Sequence, residues 1–318
     1  MSGGIVLNRA APGTVEMHMK RLAVILLFGP IVAIACGGSA SPTAPTTTTT
    51  TTTTTVVTLP ACVTWAGTQR ATGVPAATGD VTGQREALYS AGGGVKAVGS
   101  KYYAMWFPSN WASTSTRRVM VDLHGTGGAP ETEWALGWKD IVSQRGWGWI
   151  GLKYVNDATG VHDDETAMYA NLKTLLTDVA ASCDFGSPSM FLVGFSRGSA
   201  QSFPIAYLDL KDRRYFKAVG NNSGAWLLDG AMTPTMQGIV TRNETTAYAG
   251  SKFWMYCGAR DLEHGYPMCD EMTNAKTFIT SHAGIVERLY QDPTGGHGGL
   301  SKNTDAWTAM FTYFESLK

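Results

Sequence analysis

The chain has 318 residues, 16% of them charged, and its 25 Lys+Arg balance 25 Asp+Glu to a formal net charge of zero. With no basic excess to neutralise phosphates, nucleic acid is excluded as an expected partner. A hydrophobic content of 44%, with ten tryptophans, is ample for one large core.

Residues 1–36 read as a signal peptide. Lys20-Arg21 precede the apolar run 22–35, which is too short to cross a membrane comfortably. Met17 or Met19 is a candidate true start, because 1–16 lack the character of a positive n-region. The run ends in Ala33-Ile-Ala-Cys36-Gly37, which resembles a bacterial lipobox. That resemblance implies a diacylated Cys36, tethering the chain to a membrane surface without spanning it. Ordinary secretion with an incidental Cys36 is the alternative; either way the protein is expected to be exported. Residues 37–58, with the unbroken run Thr46 to Thr55, have almost nothing to bury and are expected to form a solvated tether.

The folded domain is expected over 59–318. Leu88–Val98 and Tyr102–Phe107 read as an opening antiparallel pair, and Arg118–His124 as a strand running into the glycine-rich loop Gly125-Thr-Gly-Gly128. A helix is expected over Glu131–Gln144, a strand over Gly148–Val155, and an amphipathic helix from Asp163-Asp164-Glu165 to Ala181. The acidic residues there suit a helix cap. Met190–Val193 is a strand that breaks into Gly194-Phe-Ser196-Arg-Gly198, followed by a helix from Ser199. Phe216–Gly220 is the next strand, and Gly224–Gly250 is an insert of undefined structure. Strands at Lys252–Gly258 and Ile285–Tyr290 alternate with helices at Met272–Ser281 and Asn303–Leu317. Such alternation predicts an α/β fold, a mostly parallel sheet with helices on both faces and ligands at the carboxyl ends of its strands.

With Cys36 set aside, four cysteines remain, and export makes two disulfides plausible in any of three connectivities. Cys183 lies before one strand and Cys257 at the end of another, at opposite ends of a parallel sheet. This favours Cys257–Cys269 and Cys62–Cys183. No metal site is expected, since CxxC is absent and the spacing does not suit zinc.

The chemistry gathers around Ser196. The strand, turn and helix context is what a G-x-S-x-G pattern requires of a nucleophile, whose glycines avoid clashes with the neighbouring strand and helix. Downstream, Asp261 follows one strand, and His297 sits in Thr294-Gly-Gly-His-Gly-Gly299 after the last. A serine hydroxyl needs a base, and a carboxylate fixes that base's tautomer. Glu263 and then Asp292 compete with Asp261 for the acid role; the other histidines precede Ser196, end a helix (His282) or share the Asp261 loop (His264). The N–H groups of Arg197 and of Thr126, in His124-Gly-Thr-Gly-Gly128, are the expected oxyanion donors. Asn222, Trp226 and His124 are candidate substrate contacts, with Trp138 and Tyr154 as weaker ones. His124 alternatively orients the loop.

The order Ser, Asp, His is that of the α/β-hydrolase fold. From residue 85 onward the chain resembles secreted esterases grouped with polyhydroxybutyrate depolymerases and feruloyl esterases. The matching features are V-x-L-H-G before the oxyanion loop, Asp163-Asp164, Cys183-Asp184, Gly194–Gly198, Gly258-x-x-Asp261 and His297. The resemblance implies cofactor-free hydrolysis of carboxylic esters, polymeric ones among them, by a protein expected to be monomeric. Arg197 departs from the pattern, standing where many relatives have a small residue. An amidase or peptidase with the same triad, or a surface binding module without catalysis, are the rival readings.

Overall fold

The computed structural model describes residues 57–70, 72–225, 232–263 and 265–317. The expected signal peptide, Cys36, most of the tether and Trp226 lie outside the described residues.

Eight strands form one sheet: β1 (Gly94–Val98), β2 (Lys101–Trp106), β3 (Arg118–Leu123), β4 (Gly148–Lys153), β5 (Ser189–Phe195), β6 (Phe216–Asn222), β7 (Lys252–Gly258) and β8 (Ile285–Asp292), in the order β1-β2-β4-β3-β5-β6-β7-β8. β2 pairs antiparallel with β1 and β4, and every other pairing is parallel. The order turns back at β3, so the crevice above β3 and β5 opens where successive connections leave in opposite directions.

The central strands β3 to β7 are buried on both faces along most of their length, so their sequences are largely apolar, while the edge strand β8 is mostly exposed. In β3, Val119, Val121 and Leu123 enter one core while Met120 enters the other. The first core is closed by α1 (Cys62–Thr68), α5 (Glu165–Ser182), α6 (Arg197–Lys211), α7 (Pro234–Thr241) and α8 (Met268–Ser281), through Leu172, Phe203, Met236 and Ile279. The second is closed by α2 (Asp80–Ser90), α3 (Pro130–Glu133), α4 (Lys139–Arg145) and α9 (Thr304–Ser316), through Leu88, Ile141 and Phe311.

Several boundaries differ from the sequence expectation. Residues 88–90 close α2, and the first strand starts only at Gly94, where an added Cβ would lie 2.1 Å from the Ala66 carbonyl oxygen. Amphipathic periodicity is weak across that junction, so helix and strand looked alike. The helix expected at Glu131–Gln144 is interrupted by a π-helical turn, Trp134–Trp138, whose two tryptophans are both buried. Within the insert, α7 is capped by Thr233 and tied to α5 where the Thr235 N–H donates to Glu165 Oε1 at 2.8 Å. Asp164 caps α5 by accepting from the Ala167 N–H at 2.8 Å. Disulfides join Cys62 to Cys183 and Cys257 to Cys269, the favoured connectivity.

Candidate active site

Ser196 sits between the end of β5 and the first residue of α6, at φ 52 and ψ −118. A positive φ is costly for a non-glycine residue and persists only where the surroundings enforce it. Here the Ser196 N–H donates to the Asn222 carbonyl at 2.8 Å, fixing the turn against β6. The flanking glycines are forced: a Cβ at Gly194 would lie 2.2 Å from the Gly198 oxygen, and one at Gly198 would lie 2.0 Å from the Leu123 oxygen.

His297 Nε2 lies 2.9 Å from Ser196 Oγ, and its Nδ1 lies 2.8 Å from Asp261 Oδ2. With Nδ1–H donating to the carboxylate, Nε2 is the acceptor that faces the serine hydroxyl. Asp261 is 1% exposed and also accepts from the Glu263 N–H at 3.2 Å. Glu263 itself is exposed.

Asp292 has a different task. Its Oδ1 accepts from the Thr294 and Gly295 N–H groups, both at 2.9 Å, and from Thr294 Oγ1 at 3.0 Å. Its Oδ2 accepts from Tyr256 Oη at 2.9 Å and Asn303 Nδ2 at 2.7 Å. Burial alone would raise its pKa, but these donors outweigh it and hold the carboxyl at about 2. The ionised group thus fixes both ends of the loop that carries His297. The loop passes so close over Tyr256 that a Cβ at Gly299 would lie 2.2 Å from its hydroxyl oxygen.

The second glycine loop packs directly on Ser196, a Cβ at Gly125 falling 3.3 Å from Ser196 Cβ. The Gly128 N–H donates to Gly125 O at 3.0 Å, and Lys153 Nζ donates to Gly128 O at 2.7 Å. Among the described residues, the N–H groups of Thr126 and Arg197 donate to no protein acceptor. The Arg197 side chain reaches this loop, its Nε donating to Thr126 Oγ1 at 3.4 Å.

His124 is fully buried, so its expected role as a substrate contact is corrected: it lies beneath the loop. Its Nδ1–H donates to Gly125 O at 2.7 Å and its ring stacks on Tyr154 at 4.2 Å. Burial, with the charges of Lys153 and His162 adding to it, holds its pKa at about 3, so the ring stays neutral. Tyr154 donates its hydroxyl to the His124 carbonyl. Trp138 (2% exposed), Tyr154 and Asn222 are likewise buried and do not face solvent; Asn222 acts through its carbonyl on Ser196.

Two neighbouring acids, the buried Asp122 and the half-buried Glu133, back the same loop, and no sequence pattern announced them. Glu133 accepts the Gly125 N–H, and burial raises its pKa to about 7. Asp122 is 1% exposed, and its carboxyl is likewise held well above the ordinary carboxylate range, by burial first and by Glu133 second. Asp292 was legible in part, since Asp-Pro-Thr-Gly after a strand is a turn signal. Glu133 lay inside a helical stretch and left none.

No protein-family model matches the chain, and no curated protein matches it by sequence. Among solved structures it is similar to esterase B from Lactobacillus rhamnosis, at 14% identity over 68% of this chain and 80% of that one, with a TM-score of 0.51. It is equally similar to an S-formylglutathione hydrolase from Agrobacterium tumefaciens, at 13% identity over 69% and 90% of the two chains and the same TM-score of 0.51. With its sheet order, these likenesses place the chain in the α/β-hydrolase fold.

Proposed function

We propose that the protein is a serine ester hydrolase. The observation that carries this reading is the hydrogen-bonded chain Ser196–His297–Asp261, at 2.9 and 2.8 Å, assembled from three separate strand ends beside two unused N–H donors. Ser196 Oγ attacks the ester carbonyl carbon while His297 Nε2 takes its proton, and Asp261 stabilises the imidazolium that forms. The carbonyl oxygen, now negative, is held by the Arg197 and Thr126 N–H groups, which a fixed backbone orients in advance. Collapse expels the alcohol, which receives the proton from His297. Water then attacks the acyl-Ser196 ester by the same route, releasing the acid and restoring the hydroxyl.

The names of the similar solved proteins, an esterase and a thioester hydrolase, support the reaction class. Two disulfides suit an oxidising compartment, which supports export, with attachment through a lipidated Cys36 as part of the same proposal. The test is hydrolysis of p-nitrophenyl butyrate by the wild type and Ser196→Ala, alongside a matched anilide. The variant should lose at least about a thousandfold in kcat/KM while keeping its circular dichroism. Undiminished activity in Ser196→Ala would refute the mechanism, and faster turnover of the anilide would favour an amidase.

A further inference from the structure

Arg197 is the first residue after the nucleophile, yet its side chain has no part in the reaction just described. It is exposed, and among the described residues it makes no ion pair; its one hydrogen bond is the 3.4 Å contact from Nε to Thr126 Oγ1. That contact turns the guanidinium toward the oxyanion loop, and among the described residues neither Nη group has a protein acceptor.

The neighbouring cations differ. Lys101 is paired with Asp163 at 3.2 Å and Lys153 with Asp157 at 2.5 Å. All three cations reach the same rim: the His162 imidazole is held below its ordinary range by burial first, then by Arg197, Lys101 and Lys153, with Asp163 opposing. Among the described residues, the lysine charges are paired and the arginine charge is not. A planar guanidinium with two open N–H edges matches a carboxylate in bidentate geometry. The chain as a whole carries a formal net charge of zero, so long-range steering of anions is weak and any discrimination is local.

We propose that the Arg197 guanidinium selects esters that carry a carboxylate close to the scissile bond. This rests on the ester-hydrolase reading and names the substrate class of that site. The carboxylate can belong to the acyl part, as in a half-ester of a dicarboxylic acid, or to the alcohol part.

Two matched pairs separate these sources. The acyl pair is p-nitrophenyl hydrogen adipate against p-nitrophenyl methyl adipate; the alcohol pair is m-carboxyphenyl butyrate against m-carbamoylphenyl butyrate. Within at least one pair, the acidic member should have a kcat/KM about fivefold higher at low salt, the upper range for a solvent-accessible ion pair. Raising ionic strength should shrink that ratio, because a partly exposed pair is screened. Arg197→Gln should bring the ratio close to one, and Arg197→Lys should restore part of it; the ratio is read within each variant, whatever happens to the neutral ester. A ratio of one or less in both pairs, or a preference unchanged in Arg197→Gln, overturns the proposal. Failure to hydrolyse any of the four esters overturns the ester-hydrolase reading itself, and is recognised by the inactive neutral members.

Discussion

Replacing Asp292 by Asn tests how the histidine loop is held. The substitution keeps Oδ1, which faces Thr294 and Gly295, and turns Oδ2 into an NH2 group facing Tyr256 Oη and Asn303 Nδ2. The tyrosine hydroxyl can rotate to accept, but the Asn303 amide then meets a second donor. Asn303 also caps α9 by accepting from the Ala306 N–H at 3.0 Å, so the disturbance reaches that helix. A carboxyl held at about 2, against about 3.9 for an ordinary aspartate, corresponds to about 2.5 kcal/mol in favour of the ionised form. Only a glycine loop separates this carboxylate from water, so we expect about 1–2 kcal/mol to be lost at pH 7. Because the folded pKa is depressed, this stability is present above pH of about 4 and is lost as pH falls toward about 2, where variant and wild type should converge. A loop displaced by a fraction of an ångström also misplaces His297, so kcat should fall about tenfold to a hundredfold. Urea denaturation at pH 7 and at about pH 3, with steady-state kinetics on p-nitrophenyl butyrate, measures both effects. Wild-type stability at pH 7 together with wild-type kcat would refute the assignment of Asp292 as the anchor of this loop.

Further outcomes follow from the buried acids and the cysteines. Glu133 has its folded pKa raised to about 7 by burial, so its contribution to stability is present at low pH and is lost as pH rises from about 4.5 through 7. Glu133→Gln should flatten that decline in a series of melting temperatures from about pH 5 to 8; parallel declines in both proteins would exclude Glu133 as its source. The disulfides close loops of very different length, with sequence separations of 121 for Cys62–Cys183 and 12 for Cys257–Cys269. Loop-closure entropy then predicts a loss of about 5 kcal/mol on replacing the first pair by alanines and about 3 kcal/mol for the second. Equal or inverted losses in urea denaturation would show that the entropy of the unfolded chain does not control their effect.

Many of these features could be read from local sequence. The strand cores of β3 to β7 were legible because each is a short, largely apolar run bounded by glycine or polar residues, and burial on both faces demands that composition. The Ser196 turn was legible because a serine on a tight strand-to-helix turn needs Gly194 and Gly198 to clear Leu123 and the turn itself, a constraint written in adjacent residues. The cysteine pairing followed from which ends of the strands the residues occupy. Local pattern was a poor guide at α2, where helix and strand looked alike, and at the π turn, where burial of two tryptophans decided the geometry.

Tertiary structure alone decided which of several polar groups met which. Asp261 follows β7 and Asp292 ends β8, and nothing local distinguishes a carboxylate that meets His297 Nδ1 from one that collects five donors beneath its loop. His124 opens an exposed loop in sequence, yet it is buried beneath that loop, where Tyr154, the residue after β4, stacks on it. Glu133 becomes a neighbour of Gly125 only when α3 folds back over β3. These pairings join residues from different strand ends, and their energies depend on burial and on partners that no local window contains. The sequence therefore determined the scaffold and the glycine-flanked turn that carries Ser196, while packing determined the division of labour among its acids and histidines.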